Sequence, residues 1–158
     1  MKLAECCLLT TVIVSGCGQQ YVEVEELLNH NACKGLSQGL HSITPGRLPA
    51  LRGVTLLEVS GTAKQAETEL QSGGVLIAIS NGEQPTLGYA MHPLSATLDG
   101  THLTMDYSWQ TPDPTRQHAQ TLSSPCSVIR LPPEQVERLS VTVEGIALGS
   151  LEIQPLTQ

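Results

Sequence analysis

Phenylalanine is absent from this 158-residue chain, and one Trp and three Tyr are its only aromatic residues. Leu, Val and Ile must therefore fill any core. Basic residues are also scarce: eight Lys and Arg stand against fifteen Asp and Glu, a net charge of −7. That balance leaves no electrostatic footprint for nucleic acid and no basic face for anionic lipid. Catalytic signatures are sparse too. The five histidines, His30, His41, His92, His102 and His118, are dispersed, and no two stand at i, i+4 beside a Glu as in zinc proteases. Gly73-Gly74 lacks the further Gly and Lys of a phosphate loop. No nucleophile elbow is expected, and Asp106 and Asp113 have no evident acid–base partner. His92 and His102 are expected as a surface pair across the Asp99-Gly100 turn, not as a metal site. The expectation is a non-enzyme without cofactor or metal; a hydrolase with an unrecognised site is the alternative.

What is present begins at the N-terminus. Met1-Lys2 is a short positive start, with Glu5 nearby, and Cys6 to Val14 is a run without charge. The run is too short to span a bilayer, which takes about 20 apolar residues. An apolar stretch between a positive start and small residues is the layout of a secretory signal. Val14-Ser15-Gly16-Cys17 resembles the lipobox of bacterial lipoproteins. The resemblance implies cleavage after residue 16 and lipidation of Cys17. No Asp follows Cys17, so the family analogy implies outer-membrane attachment facing the periplasm. Other readings are an ordinary cleaved signal, or an element of the domain itself.

Cleavage leaves about 142 residues, and the charge stays at −7 because Lys2 and Glu5 leave together. That length suits one domain with a real core. Cys33 and Cys126 then remain as an even pair in an oxidising compartment. A Cys33–Cys126 disulfide is expected, closing a loop of about 93 residues; the alternative is two buried thiols. The chain-entropy model gives such a loop roughly 4.5 kcal/mol as an upper figure.

Along the chain, residues 17–52 read as a lipidated tether with loops and a short helix. Val22, Val24, Leu27 and Leu28 among Glu23, Glu25 and Glu26 give a weak amphipathic helix, and Pro45-Gly46 and Pro49 are breakers. Residues 53–158 read as a β-domain. Strand signals are Val54–Val59, Thr68–Leu70, Val75–Ile79, Gly88–His92, Ser95–Leu98, His102–Tyr107, Cys126–Leu131, Leu139–Val143 and Leu148–Ile153. Val75–Ile79 is apolar throughout, as in a strand buried on both faces. Asp99-Gly100 marks a hairpin, residues 111–125 form a long Pro-rich loop, and Pro133–Val136 makes a helical turn. The fold expected is all-β: a small antiparallel β-sandwich or barrel-like domain with minor helical turns near the N-terminus.

Four stretches in order carry a family resemblance. They are Val75 to Ile79; Gly82-Glu83-Gln84-Pro85-Thr86-Leu87-Gly88-Tyr89; the Pro-rich stretch before Gln120; and Ser123 to Pro132. Residues 74–144 resemble the C-terminal domain of the PrcB family of protease-complex subunits. The family includes a lipoprotein, so the resemblance implies a non-catalytic accessory protein of the cell envelope. The Gln84–Tyr89 loop also resembles the Asn-Pro-Thr-Thr-Gly-Tyr loop of chagasin-type inhibitors of papain-like proteases. Gln84 and Leu87 depart from that motif, and no Arg-Pro-Trp motif is present.

The loop has a physical logic as a rigid display. Pro85 fixes its own φ and biases Gln84 to extended geometry; Gly88 allows positive φ; Tyr89 offers an amphipathic ring. Gln84, Pro85, Thr86, Gly88, Tyr89 and Trp109 are the candidate partner-binding residues. The competing readings are a structural hairpin loop with Tyr89 in the core, and a Trp109 that is partly core.

Overall fold

In the computed structural model the described residues are 18–30, 33–43, 75–132 and 135–154. Cys17, the 44–74 segment with its two expected strands, and Pro133-Glu134 lie outside them. Among the described residues nine strands form: β1 (Gln20–Tyr21), β2 (Glu25–His30), β3 (Gly39–Ile43), β4 (Val75–Ser80), β5 (Ala90–Asp99), β6 (His102–Gln110), β7 (Cys126–Leu131), β8 (Arg138–Val143) and β9 (Ile146–Glu152). They make two packed sheets, β1-β5-β6-β8-β9 and β2-β7-β4-β3, so the expected all-β sandwich is the fold. All pairs are antiparallel except β6–β8. That parallel pair arises because the chain leaves β6, builds β7 in the other sheet, and returns.

No helix occurs among the described residues. The 22–28 stretch expected as a helix is not helical: residues 22–24 link β1 to β2 and residues 25–28 are strand, and its pattern explains why. Val22, Glu23, Val24 and Glu25 alternate inward and outward with period two, and the two valines pack on the core. A register shift between Glu26 and Leu28 then breaks the alternation that a sequence reader looks for. The Gly88–His92 and Ser95–Leu98 signals belong to one strand, β5, with a register shift between Pro93 and Ser95. Pro93 and Leu94 lie beyond the two residues that β1 pairs, so the missing Pro N–H costs no ladder bond there. The β5–β6 hairpin closes on Asp99 opposite His102, with Gly100 at φ 60°. His92 consequently pairs with Ser108, and the two histidines are not neighbours.

The core lies between the sheets. Val75, Ile77, Ile79, Ile129 and Leu131 of one face Met91, Leu103, Tyr107, Leu139 and Val141 of the other. Each fully buried aliphatic side chain is worth about 1.5–3 kcal/mol. The alternate residues Leu76, Ala78 and Val128 form a second cluster with Cys33, Ile43 and Cys126. Every residue of β4 is therefore buried, as its unbroken apolar run implied. A disulfide joins Cys33 to Cys126 in this second cluster.

The deepest aromatic, Tyr107, needs a partner for its hydroxyl. It donates to Ser127 Oγ across the core at 3.1 Å, and Ser127 donates in turn to Glu26. Burial pushes the Tyr107 phenol above its ordinary value, with a smaller push from Glu26 and a partial offset from Ser127.

Strand directions give the sandwich two ends. The connections 33–38, 81–89, 111–125 and 144–145 share one end; the 100–101 turn and the β7–β8 connection share the other.

Candidate functional site

The candidate residues meet at the first of these ends. Gly82, at φ 77°, turns the chain out of β4, and its N–H is accepted by Ser80 Oγ at 3.1 Å. Gln84 then pairs with Ser123 as an isolated two-bond bridge, Gln84 N to Ser123 O at 2.7 Å and Ser123 N to Gln84 O at 2.9 Å. Ser123, itself buried, donates from Oγ to Thr86 O at 2.6 Å. Leu87 N donates to Ala119 O at 3.5 Å. The 82–89 loop is thus clamped along its length to the 111–125 loop.

Gly88 also approaches the facing loop closely. It sits at φ 101°, and a Cβ there would lie 3.2 Å from both His118 Nδ1 and Pro112 Cβ. The sequence supplied glycine where neither the conformation nor the space admits a side chain. His118 is held in turn, donating from Nε2 to Asp113 O at 2.9 Å. Asp113 accepts from Thr115 N and Thr115 Oγ1 at 2.9 and 2.7 Å, which holds its carboxyl below the usual range. Arg116 lies 3.5 Å from the same carboxylate.

Tyr89 stacks on Trp109, with centroids 5.5 Å apart and planes 25° from parallel. Both rings are half-buried: Trp109 packs on the core edge, while Tyr89 is outside the core cluster and joins it through the ring stack. Trp109 N donates to Glu144 Oε1 at 2.6 Å. Glu144 is the only described non-glycine residue at positive φ, 51°, in the two-residue turn of β8–β9.

Around the clamp the surface is mixed. Leu87 is 38% exposed, Leu122 62% and Ile146 73%, all at this end. Thr86, Arg116, Gln117, His118 and Gln120 line an open groove of about 450 Å³. Trp109, Glu144 and Ile146 line a second, of about 230 Å³. An end that pairs exposed aliphatic groups with satisfied polar loops is suited to protein contact.

The structure therefore joins Gln84, Pro85, Thr86, Gly88 and Tyr89 to Trp109, as one surface. Sequence reasoning took the 82–89 and 109–120 loops as the binding loops but did not single out Pro112 or His118 within them, and it missed Leu122, Ser123, Glu144 and Ile146. The Glu144-Gly145 turn was readable as a hairpin signal; the other contacts join residues about 30 positions apart and leave no local trace.

The carboxylate and serine expectations change more. Asp106 is structural: it accepts from Ser95 Oγ at 3.0 Å and from Thr142 Oγ1, tying β5, β6 and β8. Gly35-Leu36-Ser37-Gln38-Gly39 does have the Gly-x-Ser-x-Gly spacing of a nucleophile elbow, against expectation. It links two strands instead of a strand and a helix, Ser37 is exposed, and His41 Nε2 bonds the Ser37 carbonyl at 2.9 Å. That context is not the elbow's.

No curated protein and no solved structure matches the chain significantly. The PrcB C-terminal family model matches residues 75–132, which span β4 to the residue after β7 and include both clamped loops. Over these residues, about a third of the chain, the protein is similar to the PrcB C-terminal domain.

Proposed function

We propose that this chain is a lipid-anchored, non-catalytic accessory protein of the cell envelope. It binds a partner protein, in first place a protease, through the 82–89 and 111–125 loops. The PrcB-type domain supports an accessory role beside a protease complex. The observation that carries the loop assignment is the convergence of Gln84, Pro85, Thr86, Gly88, Tyr89 and Trp109 on one rigid end, with Leu87 and Leu122 exposed beside them. Such a display loses little conformational freedom on binding. Cys17 is the proposed lipid attachment, and the Cys33–Cys126 disulfide suits an oxidising compartment.

Co-purification from detergent-solubilised membranes tests the reading. A specific partner is expected with the native chain and lost with Leu87→Asp combined with Leu122→Asp. If the same proteins co-purify with both chains, the loop assignment fails. Inhibition of papain that is lost on Thr86 and Gly88 substitution would instead favour the chagasin-type activity. Cys17→Ser is expected to leave an uncut, unlipidated form; normal lipid labelling of that variant would refute the anchor.

A further inference from the structure

The N-terminal chain is tied to one particular end of the sandwich. Gln20 pairs with Leu98 and Tyr21 with Thr97. Val22 N donates to Ala96 O at 3.0 Å, and Gln19 Nε2 donates to Thr97 Oγ1 at 3.1 Å. The chain therefore enters the fold, at Gln19 and Gln20, beside the Gly100-Thr101 turn. The clamped loops stand at the opposite end. β5 runs from one end to the other in ten residues, about 30 Å at the rise of an extended strand.

We propose that the 100–101 turn end is a membrane-apposed surface, so that the loop end points away from the bilayer. This rests on the reading of Cys17 as the lipidated residue. Three peptide steps separate Cys17 from Gln20, and an extended chain covers about 10 Å in three residues. A tether of that reach cannot let a body about 30 Å long turn over. Tyr21, 85% exposed, lies four residues after the anchor. An amphipathic ring so placed matches the headgroup level of a bilayer.

The tether, not charge, sets the posture. Asp99, Glu137 and Glu152 lie at the turn end, where Glu137 accepts from Thr101 Oγ1 and Glu152 pairs with Arg138. With Glu23 and Glu25 beside them and Arg130 paired to Glu25, two cations stand among five described carboxylates at this end, so no attraction to anionic headgroups adds to the tether. The body is held close by the tether and is not pulled onto its side. The partner is then a protein whose docking surface stands on the order of 30–40 Å above the lipid, the strand length plus the tether. A protein that lies flush with the bilayer does not fit.

The test uses the full chain, processed in cells and extracted in detergent. It is reconstituted into phosphatidylcholine vesicles carrying nitroxide-labelled headgroups. A fluorescent amino acid replaces Thr101 in one variant and Leu87 in a second. Flotation with the vesicles reports the anchor separately from the posture. The expected result is flotation of both, with loss of fluorescence at residue 101 and none at residue 87. Flotation with equal quenching, or with quenching at 87 alone, overturns the orientation and leaves the anchor standing. Failure to float overturns the anchor and the orientation with it.

Discussion

Gly88 packs against the facing loop with no room for a side chain, and its substitution probes the clamp. Gly88→Ala places a methyl group 3.2 Å from His118 and Pro112 at a φ that L residues avoid. A cost of about 1–3 kcal/mol is expected from the backbone strain alone, read as a lower denaturation midpoint and weaker partner capture. An unchanged midpoint would mean that the loops separate freely. Tyr107 gives a second prediction, set by pH. Unfolded Tyr releases its proton near pH 10, whereas burial holds the native phenol protonated beyond that. Tyr107 therefore contributes its full stability below about pH 10 and loses it as pH rises further. Denaturant midpoints are expected to fall above pH 10 in the native chain and less in Tyr107→Phe, which itself costs about 0.5–1.5 kcal/mol at neutral pH. Parallel pH curves for the two chains would refute this. At this scale Gly88, Tyr89 and Trp109 were legible because backbone freedom and amphipathic rings are properties of single residues. Ser123 and His118 were not, since their importance exists only through partners 30 or more positions away.

Among the elements, the β8–β9 turn makes an unusual choice. A two-residue turn with both central residues at positive φ favours Asn or Asp before Gly, yet Glu144 occupies that place. Its carboxylate reaches Trp109 N, and its own N–H donates to Tyr107 O at 2.9 Å. Glu144→Asn should keep the turn and change stability by under about 0.5 kcal/mol, while loosening Trp109 from Tyr89. The near-UV circular dichroism of the stacked pair should weaken in Glu144→Asn and persist in Glu144→Gln. An unaltered spectrum in Glu144→Asn would assign Trp109's position to core packing alone. Element legibility followed pattern strength. β4 and β7 were readable because their runs are apolar and bounded. β2 was not: the alternation of residues 22–25 ends as the strand begins, and a register shift between Glu26 and Leu28 interrupts the strand itself. The 111–125 stretch was readable as a loop, but its clamp onto 82–89 was not.

The whole molecule depends on links that no local pattern records. The parallel β6–β8 pair is one, because a hairpin reading of the chain offers only antiparallel neighbours. The Cys33–Cys126 bridge is another, and its parity argument did find it. Replacing both cysteines by Ala is expected to cost about 2–5 kcal/mol, measured as the shift in denaturation midpoint. A shift no larger than that of reducing agent on the Ala pair would show the bridge to be dispensable. β2 has a consequence of its own. Glu25 and Arg130, 105 residues apart, close its pairing with β7 at 2.7 Å. Contacts of such sequence separation slow folding, because the loop must close before the pairing rewards it. β2 cannot find its place until nearly all of β7 exists beside it. A chain that emerges N-terminus first therefore carries β2 unpaired until residue 131 has followed it.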